Sequence, residues 1–273
     1  MTTGDAPTVH PCTVGGTTIG VVGGGTVGRA TARAWLEHAR EVRVYDVLRQ
    51  RRTHPLPEVL AADVVFICLP EGEVEWLFEV TSASVPAGLP LVIRSTVPVG
   101  TTWRLARRYG LARLVHSPEF LTARCADVDA RVPAQLVVGY PGQARADHPV
   151  VGLYRERFPG VPVREVTSDE SETAKLATNA FFAVKVAFFN ELHEGCGRLG
   201  VDWAAVREVV LGDGRISPYH TRVPGPDGAC GFGGACLPKD AAELARCLEE
   251  YGLAPDVTRA ALARNGRDRG RRA

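Results

Sequence analysis

Short apolar runs alternate with longer amphipathic stretches over the first 166 residues of the chain. The runs lie at 18–22, 41–46, 63–70, 89–96, 113–117, 134–139 and 161–166. Most are continuous rather than alternating, which is typical of parallel strands covered by helices on both faces. The pattern therefore predicts an α/β fold with a doubly wound parallel sheet of about seven strands.

The hydrophobic pattern changes near residue 167. Residues 167–200 predict one long helix. Apolar side chains cover nearly its whole circumference beyond Ala174, so we expect the helix to be buried. Either Thr167 with Glu170 or Asp169 with Glu172 forms a capping box at its start. Shorter helices are expected at 202–211 and 238–251, followed by one that ends near residue 264. A Gly/Pro-rich loop is expected at 212–237. The second half is thus predicted to be an α-helical domain with a long central helix.

These patterns divide the chain into four predicted segments. They are an N-terminal extension (1–17), a sheet domain (18–166), a helical domain (167–264) and a basic tail (265–273). We expect the tail to be solvated, because it is rich in arginine and poor in apolar residues. The long helix carries Phe181, Phe182, Phe188 and Phe189, more apolar surface than one small domain readily covers. This surplus predicts a homodimer.

Composition narrows the possible environments and partners. The net charge of +1 gives no general attraction to nucleic acid or to anionic membranes. The seven cysteines are scattered, without CxxC pairs or zinc-site spacing, so we expect reduced thiols and no metal. No signal peptide or membrane span is apparent, and we expect a cytoplasmic protein.

A glycine motif, GGGTVG, follows the first predicted strand and opens a helix. In the order strand, turn, helix, strand it predicts a Rossmann-type dinucleotide site. Gly23 makes the tight turn, Gly25 lets the backbone approach a pyrophosphate, and Gly28 lets the helix pack on the strand. The alternative is a glycine-rich turn in an unrelated α/β protein.

An acidic residue, Asp46, ends the second predicted strand. At this position a carboxylate holds the adenosine ribose hydroxyls, which favours NAD over NADP. Arg49, Arg51 and Arg52 follow closely and would favour a 2′-phosphate. The segment therefore predicts NAD while leaving NADP open.

Two polar residues share one face of the long helix. Lys175 and Asn179 are four residues apart, and Glu172 precedes them on the same side. An ammonium group on a buried helix needs polar partners. The pattern is consistent with a structural hydrogen-bonded network, or with a clamp for an oxyanion and a hydroxyl beside a nicotinamide.

A cysteine, Cys236, lies in the segment GFGGACLPKD, residues 231–240. Pro238 suits the first turn of a helix, so the thiol is predicted just before a helix N-terminus, where a thiolate is favoured. The glycines at 231, 233 and 234 leave room for a ligand. A structural turn with an incidental thiol is the alternative. Beside a dinucleotide, a thiolate can add to an aldehyde, and the resulting thiohemiacetal can lose a second hydride to become a thioester.

Several segments together resemble the nucleotide-sugar dehydrogenases typified by UDP-glucose 6-dehydrogenase and GDP-mannose dehydrogenase. They are GGGTVG, STVPVGTT, SPEFL, ETAKLATNAFFAVKVAFFNE, GRIS and GFGGACLPKD, in matching order between about residue 18 and residue 265. The resemblance implies oxidation of a sugar primary alcohol to a uronic acid with two NAD. It also implies a dimer in which Arg215 reaches a substrate in the partner subunit.

The resemblance assigns roles to individual residues. Cys236 would be the nucleophile, Lys175 would steady the oxyanion and Asn179 would orient the sugar hydroxyl. Thr96 and Asp240 would position water, with Glu119 at the sugar. The expected cofactor residues are Gly23, Gly25, Gly28, Asp46, Pro70, Ser95, Thr96 and Lys239. The expected substrate residues are Glu119, Arg124, Lys175, Asn179, Arg215 and Gly233.

Two departures from the family pattern bear on the substrate. Family members continue with a third, nucleotide-binding domain. We expect this domain to be missing here, and therefore expect a smaller or differently shaped substrate than UDP-glucose. The family's Arg-Glu-Gly after SPEFL is replaced here by Thr122-Ala123-Arg124. Ala123 cannot act as the base that hydrolyses a thioester, whereas Arg124 could clamp a phosphate.

Two other functions stay open from the sequence. One is a two-electron dehydrogenase of the β-hydroxyacid type, which has a similar Lys/Asn helix. The other is a non-catalytic NAD-binding partner protein, against which the joint presence of Cys236, Lys175, Asn179 and Asp240 speaks.

Overall fold

The structure is a computed structural model that describes residues 14–81, 84–86, 88–142 and 148–270. Most of the predicted N-terminal extension and the last three residues of the predicted tail lie outside this part of the chain. The chain forms two compact units with their boundary between Glu172 and Thr173. We call them the sheet unit and the helical unit.

The sheet unit is built on the seven apolar runs. Its strands are β1 (Thr18–Val22), β2 (Glu41–Tyr45), β3 (Val64–Ile67), β4 (Leu91–Ile93), β5 (Leu114–His116), β6 (Leu136–Tyr140) and β7 (Val163–Thr167). They form one sheet in the order β2-β1-β3-β4-β5-β6-β7. From β1 the chain forms β2 at one edge, and then returns past β1 to form β3 and the remaining strands toward the other edge. This is the doubly wound Rossmann-type arrangement. The fold class predicted from the sequence is confirmed.

One strand pairing differs from the all-parallel expectation. Strand β6 pairs with β5 antiparallel through His116 and Gly139, whereas β6 and β7 are parallel. The connection from β5 to β6 contains only the short helix α5 (Ala126–Arg131), which packs against α1 (Thr26–Trp35). This connection reverses the chain direction at β6, so the sheet is mixed.

Helices cover the sheet and separate its strands. The others in this unit are α2 (Leu56–Leu60), α3 (Glu71–Thr81), α4 (Thr101–Tyr109) and α6 (Pro149–Arg157), with short 3-10 turns at Val14–Gly16 and Arg49–Arg51. Alternate residues of β3 enter two different apolar clusters, Val64 and Phe66 in one and Val65 and Ile67 in the other. Because successive strand residues point to opposite faces, both faces of the sheet are buried.

The long predicted helix is α7 (Ser168–Leu199). Its start resolves the two capping alternatives: the Thr167 N–H donates to Glu170 Oε2 (2.7 Å), and the Glu170 N–H donates to Thr167 Oγ1 (3.2 Å). This reciprocal pair is a capping box. Asp169 and Glu172 do not form the second possible box, since the Glu172 carboxylate instead accepts hydrogen bonds from Gly100 and Thr102.

The helical unit continues with α8 (Trp203–Gly212), α9 (Leu237–Glu250) and α10 (Asp256–Arg269). Helix α10 passes the end expected near residue 264, and this corrects the prediction of a solvated tail from residue 265. Asn265 is buried and Asp268 is only 1% exposed. Both side chains have polar partners inside the unit, so a stretch rich in charge is nevertheless packed.

The described residues contain neither a membrane-spanning helix nor a cluster of metal-binding side chains. No helix in this part of the chain is long and apolar enough to cross a membrane. Nor does any group of His, Cys, Asp or Glu side chains within the described ranges have an arrangement that could hold a metal ion.

Candidate active site

The glycine turn between β1 and α1 has a distinct steric requirement at each position. Gly23 has φ +101°, which favours glycine. A Cβ on Gly28 would lie 1.7 Å from the Gly23 carbonyl oxygen, so only glycine allows α1 to approach the turn. A Cβ on Gly25 would meet nothing within 4 Å, and no side chain caps α1 there. This open helix N-terminus fits a pyrophosphate.

Asp46 lies directly beside this turn. Its Oδ2 accepts the Gly24 N–H at 2.7 Å, and its Oδ1 accepts the Leu48 N–H at 2.8 Å. These bonds fix the carboxylate at the carboxyl end of β2. Arg51 also packs against Gly24, since a Cβ on Gly24 would lie 2.9 Å from Arg51 Cβ and 3.2 Å from Asp46 Oδ2. Both the acid and one of the three arginines singled out in the sequence therefore border the turn.

The ends of β3 and β4 come together next to the turn. Ser95 is buried, and its hydroxyl donates to the carbonyl oxygens of Leu69 (2.6 Å) and Ile67 (3.3 Å). Ser95 thus ties the two strand ends together rather than presenting its hydroxyl to solvent. Pro70 is exposed at the start of α3, and Thr96 is half-buried after β4.

Glu119 follows β5 in the segment SPEFL and is half-buried. Its Oε2 accepts the Leu121 N–H at 2.6 Å, which makes a tight local turn. Arg124 is exposed on the same loop, three residues after Leu121. The base of the loop is fixed by Ser117, whose hydroxyl lies 2.9 Å from that of Tyr154.

In the helical unit, the polar residues of α7 and α9 meet. Asn179 Nδ2 donates to Asp240 Oδ2 at 2.5 Å, and Lys239 Nζ lies 2.6 Å from Asp240 Oδ1. Asp240 is buried, and Lys175, one turn before Asn179, is only 3% exposed. Four residues predicted from two distant motifs therefore occupy one region of the unit.

Cys236 is the N-cap residue of α9, and its thiol is exposed. Its carbonyl oxygen accepts the Asp240 N–H at 2.8 Å, which closes the first turn of the helix. By contrast, burial raises the pKa of the Cys68 thiol to about 11. Among the described cysteines only Cys125 and Cys236 are exposed. The predicted position of Cys236 is confirmed.

The glycines before Cys236 are not all open to a ligand, which corrects the sequence expectation. A Cβ on Gly231 would lie 2.4 Å from Asn265 Oδ1, and one on Gly233 would lie 2.7 Å from the Arg269 guanidinium. Helix α10 fills these spaces. Only at Gly234 is the space free within 4 Å. Substrate binding by Gly233 stays a prediction, and a Gly233 contact would have to use its backbone.

Arg215 lies on the loop after α8 and its side chain is 87% exposed. Its guanidinium pairs with both carboxylate oxygens of Asp213, each at 2.6 Å. Arg215 thus lies at the surface of the helical unit, and its role in a partner subunit stays a prediction.

Two asparagines that contact the cysteine loop were missed from the sequence. Asn190 of α7 accepts the Gly231 N–H at 2.8 Å, and Asn265 of α10 accepts the Phe232 N–H at 2.6 Å. Asn190 carried a weak signal, as a lone carboxamide in the apolar stretch AFFNE. Asn265 carried none, because it lies among arginines and glycines.

The comparisons with known proteins agree on one family that this chain resembles. Residues 169–267 match the family model for the "UDP-glucose/GDP-mannose dehydrogenase family, central domain". The UDP-glucose 6-dehydrogenase of Pseudomonas aeruginosa is 32% identical over 91% of this chain, which spans 65% of that protein.

Solved structures extend the likeness to the whole fold. A UDP-glucose dehydrogenase from Pyrobaculum islandicum has a TM-score of 0.76 at 28% identity, covering 95% of this chain and 70% of that one. The 3-hydroxyisobutyrate dehydrogenase of Mycobacterium tuberculosis has a TM-score of 0.73 at 20% identity, covering 91% of this chain and 92% of that one. The second likeness is one of fold alone. Residues 169–267 thus match the central domain of the UDP-glucose/GDP-mannose dehydrogenase family, and the chain as a whole is similar to UDP-glucose dehydrogenases.

Proposed function

We propose that this protein is an NAD-dependent dehydrogenase that oxidises a primary alcohol of a sugar, nucleotide-sugar or nucleoside-like substrate to a carboxylate through Cys236. The observation that carries the proposal is the joining of α7 and α9 by the Asn179–Asp240 hydrogen bond, beside an exposed thiol at the N-terminus of α9. The similarity to UDP-glucose dehydrogenases supports the same reaction class.

The glycine turn and Asp46 are the residues that would hold the cofactor. The open N-terminus of α1 fits the pyrophosphate, and the Asp46 carboxylate is fixed at the end of β2, where a ribose hydroxyl would bind. When bound, NAD supplies the hydride acceptor for each oxidation. Because a carboxylate repels a 2′-phosphate, Asp46 supports NAD rather than NADP.

The remaining chemistry belongs to the helical unit. In the first oxidation the alcohol loses a hydride and a proton and becomes an aldehyde. The Cys236 thiolate adds to the aldehyde carbon, and the new oxyanion needs a positive neighbour, which we assign to Lys175. Loss of a second hydride turns this thiohemiacetal into a thioester. Water then cleaves the thioester, which restores the thiolate and releases the carboxylate.

Three further residues orient the substrate or activate water in this proposal: Asp240, Asn179 and Glu119. The buried Asp240 carboxylate holds the Asn179 amide, whose other groups orient the substrate hydroxyl. Ala123 offers no base for thioester hydrolysis, so we assign water activation to Glu119 or to water held by Asp240 and Thr96. Arg124, exposed on the loop that follows Glu119, would bind a substrate phosphate.

A homodimer is part of the proposal. On α7, Phe181 and Phe188 are 63% and 57% exposed, whereas Phe182 stacks on His220 and Phe189 is buried. Two large apolar side chains that are exposed outside the packed core support a partner on this helix. Dimerisation would also place the exposed Arg215 within reach of a second subunit.

The experiment that tests the proposal is a substrate panel of nucleotide sugars, sugar phosphates and nucleosides, with NADH formation monitored for each. Two NADH per substrate support the proposal, and one NADH supports a two-electron dehydrogenase of the β-hydroxyacid type. Binding of NAD without turnover of any alcohol would support a non-catalytic partner protein.

A further inference from the structure

The segment that precedes Cys236 is held by side chains from two other helices. Gly231 and Phe232 are buried, whereas Gly234, Ala235 and Cys236 are exposed. The chain therefore leaves the interior at Phe232 and returns to it with α9. The position of the thiol depends on how firmly both ends of this short exposed stretch are fixed.

Phe232 is fixed at its side chain and at its backbone. Its ring is buried in an apolar cluster with Ala241 of α9 and Ala261 of α10. Its N–H donates to Asn265 Oδ1 at 2.6 Å, and its carbonyl oxygen accepts from Asn265 Nδ2 at 2.9 Å. One carboxamide thus satisfies both backbone groups of a buried loop residue, which would otherwise lack partners.

The neighbouring peptide is held in the same way from α7. Asn190 Oδ1 accepts the Gly231 N–H at 2.8 Å, while Asn190 Nδ2 donates to the Val186 carbonyl oxygen at 2.8 Å. The second bond fixes which way the amide points. Gly231 has φ +73° and faces Asn265, so it permits both asparagines to reach the loop.

Helix α10 is itself anchored to α7 by a partly buried ion pair. Arg264 Nη2 lies 2.8 Å from Glu194 Oε2 of α7 and 2.7 Å from Asp268 Oδ1 of its own helix. Asp268 is almost fully buried. Asn265, between them in sequence, is consequently presented to the loop from a fixed helix.

We propose that Asn190 and Asn265, which we call the loop clamp, are positioning residues that hold Cys236 in its reactive place. Neither touches the thiol. They fix the peptide groups at Gly231 and Phe232, and the Asn179–Asp240 bond fixes α9 on the far side of the thiol. Between these two fixed points lie two glycines, which have no stiffness of their own. The role in catalysis rests on the function proposed above.

The test compares Asn265→Ala with Arg267→Gly by alkylation of the free enzyme with iodoacetamide, without substrate. Arg267 is exposed on α10, and a glycine in its place weakens the helix. The rate at Cys236 is measured by mass spectrometry relative to the rate at Cys125, an exposed thiol of the sheet unit. We expect this ratio to fall about fivefold in Asn265→Ala, because a thiol that leaves its place at the N-terminus of α9 loses the helix N–H groups and dipole that favour the reactive thiolate. The ratio should stay unchanged in Arg267→Gly.

A second variant covers the case in which Asn265→Ala does not fold. Asn265→Asp keeps an acceptor for the Phe232 N–H but replaces the donor to the Phe232 carbonyl oxygen by a carboxylate oxygen, so a smaller fall in the ratio than in Asn265→Ala is expected. A ratio equal to or above wild type in the folded variants would overturn the proposal, whatever their stability. If Cys236→Ala still forms acid, the proposed function fails, and this is distinct because alkylation requires no turnover.

Discussion

At the scale of single residues, Gly25 and Gly28 of the glycine turn serve different purposes. Gly28→Ala should destabilise the sheet unit by about 3 kcal/mol or more, because its Cβ would overlap the Gly23 carbonyl oxygen. Gly25→Ala should fold normally, since its φ is −68° and the space beside it is open, yet bind NAD much more weakly. Urea unfolding and NAD titration separate the two effects. Wild-type NAD affinity in Gly25→Ala would show that the pyrophosphate does not bind at this turn.

The cofactor preference is also decided at single residues. We expect kcat/KM to favour NAD over NADP by at least about tenfold, or about 1.4 kcal/mol, because Asp46 repels a 2′-phosphate. Asp46→Asn should shrink this ratio, although it also weakens the bond from the Gly24 N–H. Steady-state kinetics with both cofactors provide the measurement. Equal values in the wild type would show that Arg51, which packs against Gly24, compensates for the acid.

At the scale of elements, Glu172 joins the start of α7 to the start of α4. Its fully buried carboxylate accepts hydrogen bonds from the Gly100 N–H (2.6 Å), the Thr102 N–H (2.9 Å) and the Thr102 hydroxyl (2.6 Å). Burial raises the pKa of Glu172 from 4.5 to about 7, and the donors at Thr102 and Gly100 offset part of that rise.

This shift predicts a pH-dependent stability. Because the folded-state pKa lies above the unfolded one, the folded protein binds more protons between pH 4.5 and about 7, so stability falls as pH rises through this window. At 1.36 kcal/mol per unit the loss is at most about 3 kcal/mol. Urea unfolding of wild type and Glu172→Gln at several pH values gives the difference due to this group. A difference that is independent of pH would contradict the assignment.

Much of the fold could be predicted from the sequence, because hydrophobic periodicity and the residues that form turns and helix caps are local signals. Every strand of the sheet contains residues from a predicted apolar run, and the Thr167–Glu170 capping box marks the start of α7. The antiparallel β6 could not be predicted, since strand direction depends on how a distant connection packs. Asn265 and Asp268 were predicted to be solvated. Asn265 is buried against Phe232, which is distant in sequence, and Asp268 is buried against the oppositely charged Arg264.

The candidate site shows the same division. Cys236 and Asn179 were found because their residue types and spacing carry chemistry of their own, whereas Asp240 was assigned through the family resemblance. The Asn265–Phe232 pairing was not, because a carboxamide that satisfies a loop backbone leaves no periodic or compositional trace.

At the scale of the whole molecule, the exposed phenylalanines of α7 predict a dimer. Sedimentation at micromolar concentration should show two copies for the wild type and one for the double variant Phe181→Ser/Phe188→Ser, because the substitutions remove exposed apolar surface from the proposed interface. Trp76→Ser, which removes an exposed apolar side chain from α3 in the sheet unit, should stay dimeric. A monomeric wild type would exclude a role for Arg215 in a partner subunit.

The measurement that tests the central proposal most directly is the number of NADH formed per substrate molecule at the end of the reaction, together with the carboxylate yield. With the substrate identified by the panel, the wild type and Cys125→Ala should form two NADH and one carboxylate per substrate. Cys236→Ala should form no carboxylate while binding NAD with nearly unchanged affinity, because the thiohemiacetal cannot form. Wild-type carboxylate yield from Cys236→Ala, or a single NADH per substrate in the wild type, would contradict the thiol mechanism.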